Sequence, residues 1–218
     1  MPIFSMALIF VIAFLFVMMI QIQVFEIAFA KLGLSPQATL GILLGSLLGS
    51  AINLPLFKIK AENTGHWVKV GSQRPMWTLF KPARAGHVIV AINLGGCIIP
   101  VGLCVYFLSQ QLLNPIHLLI ALSIISTVSY KLSRPVAGVG IGMPILIAPL
   151  TAAGLALILD PSHAAHLAYI SGVLGVLIGA DILHLKNINK LGAPIAAIGG
   201  AGSFDGIFMT GIIAALLA

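Results

Sequence analysis

Charge is scarce in this chain: 7% of its 218 residues are Asp, Glu, Lys or Arg, and only five of them are acidic. So little charge cannot clothe a soluble globule of this size. With 60% hydrophobic residues and a mean hydropathy of +1.14, the sequence reads as an integral membrane protein. Cysteine is limited to Cys97 and Cys104. Seven residues apart on one predicted helix, their α-carbons would lie about 10 Å apart, which excludes a disulfide between them and leaves two small apolar residues. The sequence H-E-x-x-H is missing, and the usual three or four ligands of a metal site do not come together, so neither a metal nor a cofactor is expected. The net charge of +6 comes from basic residues scattered between apolar runs. That is the distribution of topology determinants rather than of a nucleic-acid surface, and no nucleic acid is expected as a partner.

What is abundant is apolar sequence in lengths suited to a bilayer. Runs of roughly 20 residues fall at 3–25, 38–55, 87–109, 115–130, 136–159, 164–185 and 195–218, the fourth being short. They predict an all-α polytopic membrane protein of about seven helices, a single transmembrane domain over 1–218. The first run has no basic residue before it and is too long for a signal peptide, so it reads as a retained helix even though "AFA" at Ala28–Ala30 imitates a cleavage site. The breaks, "KLGLSPQ", the stretch 57–86, "QQLLNP", "YKLSRP", "DPSHAAH" and "KNINKLGAP", are rich in Pro, Gly, Asn or charge.

Lys58, Lys60, Lys69, Arg74, Lys81 and Arg84 lie in the second loop, Lys131 and Arg134 in the fourth, and Lys186 and Lys190 in the sixth; only Lys31 falls in an alternate loop. The positive-inside rule then puts the even loops and the N-terminus in the cytoplasm and the C-terminus outside, in a multi-pass cell-membrane protein. The second loop, "LFKIKAENTGHWVKVGSQRPMWTLF", alternates apolar with polar around the turn-like "ENTG". It suits either a short cytoplasmic β-hairpin or an irregular interfacial loop anchored by Trp67 and Trp77.

Small residues mark where helices meet. Gly41, Gly45 and Gly49 form overlapping G-x-x-x-G steps with Asn53 next on that face, a pattern for close packing or for partner helices in an oligomer. The segment "AINL" at 51–54 recurs at 91–94, and Asn93, Gly95, Gly96 and Pro100 then fall at membrane depth. Gly138, Gly140, Gly142 and Pro144 interrupt the fifth run, and Gly199, Gly200 and Gly202 the seventh. Helices 3, 5 and 7 are therefore expected to be broken at similar depth, around a shared, partly hydrated site, because irregular backbone is tolerated in a bilayer only where protein or water surrounds it.

Two carboxylates belong to that zone. Asp181 precedes Lys186 by five residues, about 7 Å of helix, and Asp205 has thirteen residues after it, about 20 Å of a core about 30 Å thick. On consecutive antiparallel helices at matching depth, the pair could face one another and hold a single proton, so that one oxygen takes a proton from water while the other polarises a carbonyl. The alternative is structural: Asp205 caps the last helix and Asp181 reaches the interface. His184, three residues after Asp181, lies on a neighbouring part of the same face.

"NLGGCIIP", "RPVAGVGIGMPILIAPL", "GADILHL" and "IGGAGSFDGIFMTGIIAALLA" resemble the prokaryotic membrane-protein family called domain of unknown function 1614, over most of the chain from Asn53 onward. A second resemblance is to the intramembrane aspartyl proteases, presenilin and signal peptide peptidase. It implies that Asp181 is the first catalytic aspartate and that Gly202, Asp205 and Gly211 match the second motif, although Phe204 replaces the glycine before the aspartate and Ala180 stands where a tyrosine belongs. "MPIL" with Pro144 could serve for the Pro-Ala-Leu segment that would follow the last helix.

The expected function is therefore cleavage of membrane-embedded peptides by Asp181 and Asp205, with Asn53, Asn93, Gly202, Phe204 and Pro144 around the substrate. The alternative is a proton- or cation-coupled transporter or channel that uses the same carboxylates on a small ion or solute, with Asn53 and Asn93 as neutral ligands. A third reading is an assembly protein without turnover. Membrane lipid is a partner in each case.

Overall fold

The computed structural model of the chain describes residues 22–60, 66–69, 78–81, 86–136, 140–190, 195–200 and 206–218. Helix α1 is described over Ile22–Lys31 and is followed by α2 (Pro36–Gly49), at 118° to it. The corner between them is written in the sequence. Gly33, at φ +74°, ends α1 with Leu34 N donating to Phe29 O and Gly33 N to Ala30 O, the double bond of a glycine-terminated helix. Ser35 then caps α2 through Ala38 N (3.3 Å), with Pro36 as the first helical residue.

The same device sets two more starts. Asn114 caps α4 (Pro115–Leu132) through Ile116 N at 2.9 Å, and Asp160 caps the 3-10 turn Pro161–His163 ahead of α6 (Ala164–Val176) through His163 N at 3.3 Å. Helices α3 (Ile99–Ser109), α5 (Ile147–Leu159) and α7 (Gly206–Leu217) complete the set.

Among the described residues, two helices are long and apolar enough to span a bilayer, Pro115–Leu132 and Pro161–Lys186; the bent pair α1–α2 makes a third if it counts as one span. Seven full spans are thus not found among the described residues, which leave out 1–21, and the run that looked shortest, the fourth, is one of the two complete ones. The difference lies where the glycines are. The expected spans 38–55, 87–109, 136–159 and 195–218 all contain strand: β1 (Asn53–Lys60), β4 (His87–Asn93), β5 (Arg134–Val136), β6 (Gly140–Gly142) and β7 (Ile195–Ile198). Helices 3, 5 and 7 are broken as expected, but the missing half is β-structure rather than a second half-helix, so an all-α fold is corrected to a helical one with small sheets.

β4 is central, antiparallel to β1 and parallel to β7, with Asn53 paired to Asn93 and Ile92 to Ile198. Both copies of "AINL" lie at this junction, facing each other. In the second loop, β2 (His66–Lys69) pairs antiparallel with β3 (Thr78–Lys81). A hairpin therefore exists, but its connection is 70–77 rather than "ENTG", and the strand before "ENTG" pairs with β4 instead. Residues 62–65 themselves lie outside the described residues.

Helix α6 is the hub. Nearly all of it is buried, and it packs against α4, α5 and α7. Its glycines permit this: a Cβ on Gly175 would sit 2.6 Å from Ile125 Cγ2 of α4, and one on Gly172 3.3 Å from Thr210 Cγ2 of α7. Phe107 of α3 meets Tyr169 and His166 of α6 edge-on, at ring-centroid distances of 5.6 and 5.2 Å. Lys31 Nζ donates to Leu216 O at 2.8 Å, and Leu113, Leu118, Leu155, Leu159 and Ala218 pack in one cluster. The corners near 31–36, 109–115 and 159–164 therefore share one end of the bundle with the last residue, while the three-stranded sheet β1-β4-β7 lies toward the other. Outward-facing side chains such as Leu48 (72% exposed) and Ile158 (78%) are apolar, as a lipid-facing surface requires.

Candidate functional site

The candidate site lies where three strand ends meet. β4 and β7 run parallel and each leads toward a helix: β4 through a π-turn, Leu94–Ile98, into α3, and β7 through Gly199 and Gly200 toward α7. Asn93 ties the junction together. It is 1% exposed, its Oδ1 accepts from Gly96 N at 2.8 Å, and its Nδ2 donates to Ser50 O (2.7 Å) and Asn53 Oδ1 (3.0 Å). Both of its N–H groups are used, and so is its oxygen, which is how a buried amide is kept inside a protein without penalty.

Asn53 differs. It is exposed, its oxygen takes the Asn93 bond, and its Nδ2 has no partner among the described residues. A Cβ on Gly200 would lie 3.2 Å from Asn53 Oδ1. Asn53 therefore stands directly beside the chain that runs toward Asp205.

Glycine makes the junction dense. A Cβ on Gly95 would collide with the backbone of Ser46 and Ser50, and Ser46 Oγ donates to Gly95 O at 2.7 Å. Gly49 faces Gly95 N at 2.9 Å by the same measure, Gly45 only touches Ile99, and Gly41 meets nothing within 4 Å. Of the three-glycine stripe, it is the last step that holds α2 against the π-turn. Gly199, at φ +70°, lies against Cys97 and Gly96, which ties the end of β7 to the start of α3. Cys97 and Cys104 are both buried and are not joined in a disulfide.

Asp181 closes a second π-turn, Leu177–Asp181, at the end of α6 and is half-buried. Such a turn adds a residue to the helix and commonly marks a functional position. The turn sits tight on α4, because a Cβ on Gly179 would lie 2.8 Å from Ser129 Cβ. His184 follows, 5% exposed, with Nδ1 3.1 Å from Gly179 O and its ring 4.8 Å from that of Tyr130. A carbonyl only accepts, so Nδ1 is the donor in this contact. Sequence spacing placed His184 near Asp181 but gave no sign of its burial or of the Tyr130 contact, which comes from α4.

Of the other expected site residues, Pro144 is exposed in the irregular segment between β6 and α5. Asp205, Gly202 and Phe204 lie outside the described residues. Among the described residues no three His, Cys, Asp or Glu side chains cluster as metal ligands.

Apolar helices of membrane-spanning length, lipid-facing surfaces and glycine-tight packing define a helical membrane protein. Over residues 47–217 it matches the family described as "Protein of unknown function (DUF1614)", and it belongs to that family. No curated protein and no solved structure matches the chain.

Proposed function

We propose that the protein is an intramembrane aspartyl protease that cuts membrane-embedded peptides with Asp181 and Asp205. One observation supports this reading above others: β7, whose last residue Ile198 lies seven residues before Asp205, is an edge strand, and no described strand pairs with its outer side. A peptide unwound from its own helix can add there by main-chain hydrogen bonds, which delivers an extended backbone toward the aspartate segment. The Nδ2 of Asn53, without a partner among the described residues, is a donor for a carbonyl of that peptide.

In the reaction, one carboxylate takes a proton from water as the water oxygen bonds to the peptide carbonyl carbon. The protonated partner gives its hydrogen to the carbonyl oxygen. Collapse of the diol breaks the C–N bond, and the leaving nitrogen takes a proton, giving a carboxylate and an amine. The strand-bearing end is then the cytoplasmic one, with the N-terminus inside and the C-terminus outside, as the basic residues favour.

The test is turnover of single-span peptides by the protein in proteoliposomes. Asp181→Asn and Asp205→Asn should each abolish cleavage while leaving the unfolding temperature in place. Full cleavage by either variant ends the proposal. The second reading, a proton- or cation-coupled transporter, is favoured by α3 and α7, half-helices that both begin beside paired strand ends. Its signature is a pH- or sodium-dependent flux that Asp205→Asn removes in vesicles that show no peptide cleavage.

A further inference from the structure

The chain around Asp181 changes its backbone bonding twice within a few residues: α6 passes through the π-turn Leu177–Asp181 directly into the 3-10 segment Ile182–Lys190. A five-residue bond and a three-residue bond wind the chain by different amounts, so a regular ladder does not fix the side chains where one gives way to the other. Asp181 stands at that junction. Where its carboxylate points depends on what holds the turn.

Two contacts hold it, and both act on Gly179. The first is with α4: a Cβ on Gly179 would collide with Ser126 O and come within 2.8 Å of Ser129 Cβ. The second is His184, whose Nδ1 lies 3.1 Å from Gly179 O and whose ring lies 4.8 Å from that of Tyr130, also on α4, at an interplanar angle of 38°. The placement of His184 is the reverse of what hydrophobicity assigns, because Ile182 and Leu183 are 44 and 51% exposed while the imidazole is 5% exposed. An imidazole in such a place is costly unless it is bonded. Its bond goes to the carbonyl two residues before Asp181 and closes residues 179–184 into a ring with Asp181 inside it.

We propose, resting on the role given to Asp181 above, that His184 is a positioning residue: its Nδ1–H bond to Gly179 O, steadied by the Tyr130 ring, locks the π-turn and with it the direction of the Asp181 carboxylate. With the bond in place the carboxylate meets the reacting atoms in one orientation. Without it the junction samples several, only some of them competent, which lowers kcat while leaving the binding of the peptide as it was.

Two variants of the full chain separate the bond from the packing. His184→Phe keeps a ring against Tyr130 and loses the N–H, whereas His184→Asn keeps a donor at the level of Nδ1 and loses the ring. With a single-span peptide in proteoliposomes, His184→Phe should lower kcat about 10- to 100-fold with KM changed by less than about twofold, and His184→Asn should recover most of the loss. The same proteins are also read without substrate, through the infrared carbonyl band of the protonated Asp181 side chain, isolated by subtracting the spectrum of Asp181→Asn. The parent and His184→Asn should give one narrow band, and His184→Phe a broadened or split one. An Asp181 band unchanged in His184→Phe, or a loss of kcat in His184→Asn as large as in His184→Phe, overturns the assignment. Full cleavage by Asp181→Asn would instead end the function proposed above, and the infrared band would still decide whether His184 orients Asp181.

Discussion

Asn93 and Asn53 occupy opposed positions on neighbouring strands, and the amide of the first donates to the oxygen of the second over 3.0 Å. The bond closes a chain of contacts from α2, through Ser50, to the π-turn at Gly96. Replacing Asn93 with Ala strands Gly96 N and Ser50 O in a buried place, each at about 1–3 kcal/mol. Asn93→Ala should therefore lower stability by about 2–6 kcal/mol, and Asn93→Asp, which keeps the acceptor for Gly96 N but sets a buried carboxylate oxygen against Ser50 O and Asn53 Oδ1, by at least as much. Thermal unfolding in detergent reads both, and an Asn93→Ala protein as stable as the parent would remove this junction as an organising element.

The glycine contacts predict a graded series on one helix. Gly95→Ala and Gly49→Ala force α2 and the π-turn apart and should each cost about 1–3 kcal/mol, whereas Gly41→Ala enters open space and should be neutral or slightly stabilising through helix propensity. Equal losses at Gly41 and Gly49 would contradict the packing described.

Lys31 caps the carbonyl end of α7, where a cation also complements the helix dipole. Lys31→Met should cost about 0.3–1 kcal/mol and speed hydrogen exchange at the C-terminal amides of α7, with little change at α4. Unchanged exchange in α7 would show the contact to be idle.

Two buried hydroxyls give a prediction of opposite sign. Ser129 Oγ and Tyr169 OH are fully buried and have no partner among the described residues. Ser129→Ala and Tyr169→Phe should leave stability unchanged or raise it by about 1 kcal/mol. A loss of more than that would indicate a bonded water at the site.

Much of this was legible in the sequence. The breaks "KLGLSPQ", "QQLLNP" and "DPSHAAH" stand out by their Pro, Gly, Asn and charge, and each contains a helix start, capped by Ser35, Asn114 or Asp160 and followed by Pro. The glycine clusters at 95–96, 140–142 and 199–200 mark segments where helix is interrupted by strand or turn. The strands were not legible as such. "HVIVAIN" and "IAAI" are as apolar as any helix of the same length, so hydrophobicity finds them without revealing their period. Their pairing is non-local, with β1 about 30 residues before β4 and β7 about 100 after it, and no local signal carries it. "ENTG" misled because turn residues say where a chain can reverse, not which strands then pair. The buried state of His184 was hidden for a similar reason, since Tyr130 comes from a different helix.

The central position of β4 has a consequence for synthesis. One flank, β1, is already made when β4 emerges, but the other arrives only with Ile195–Ile198, more than a hundred residues later. Until then the growing chain carries a sheet margin whose amides lack their partner strand. Proteins shortened before β7 should leave that margin open and be degraded rather than accumulate.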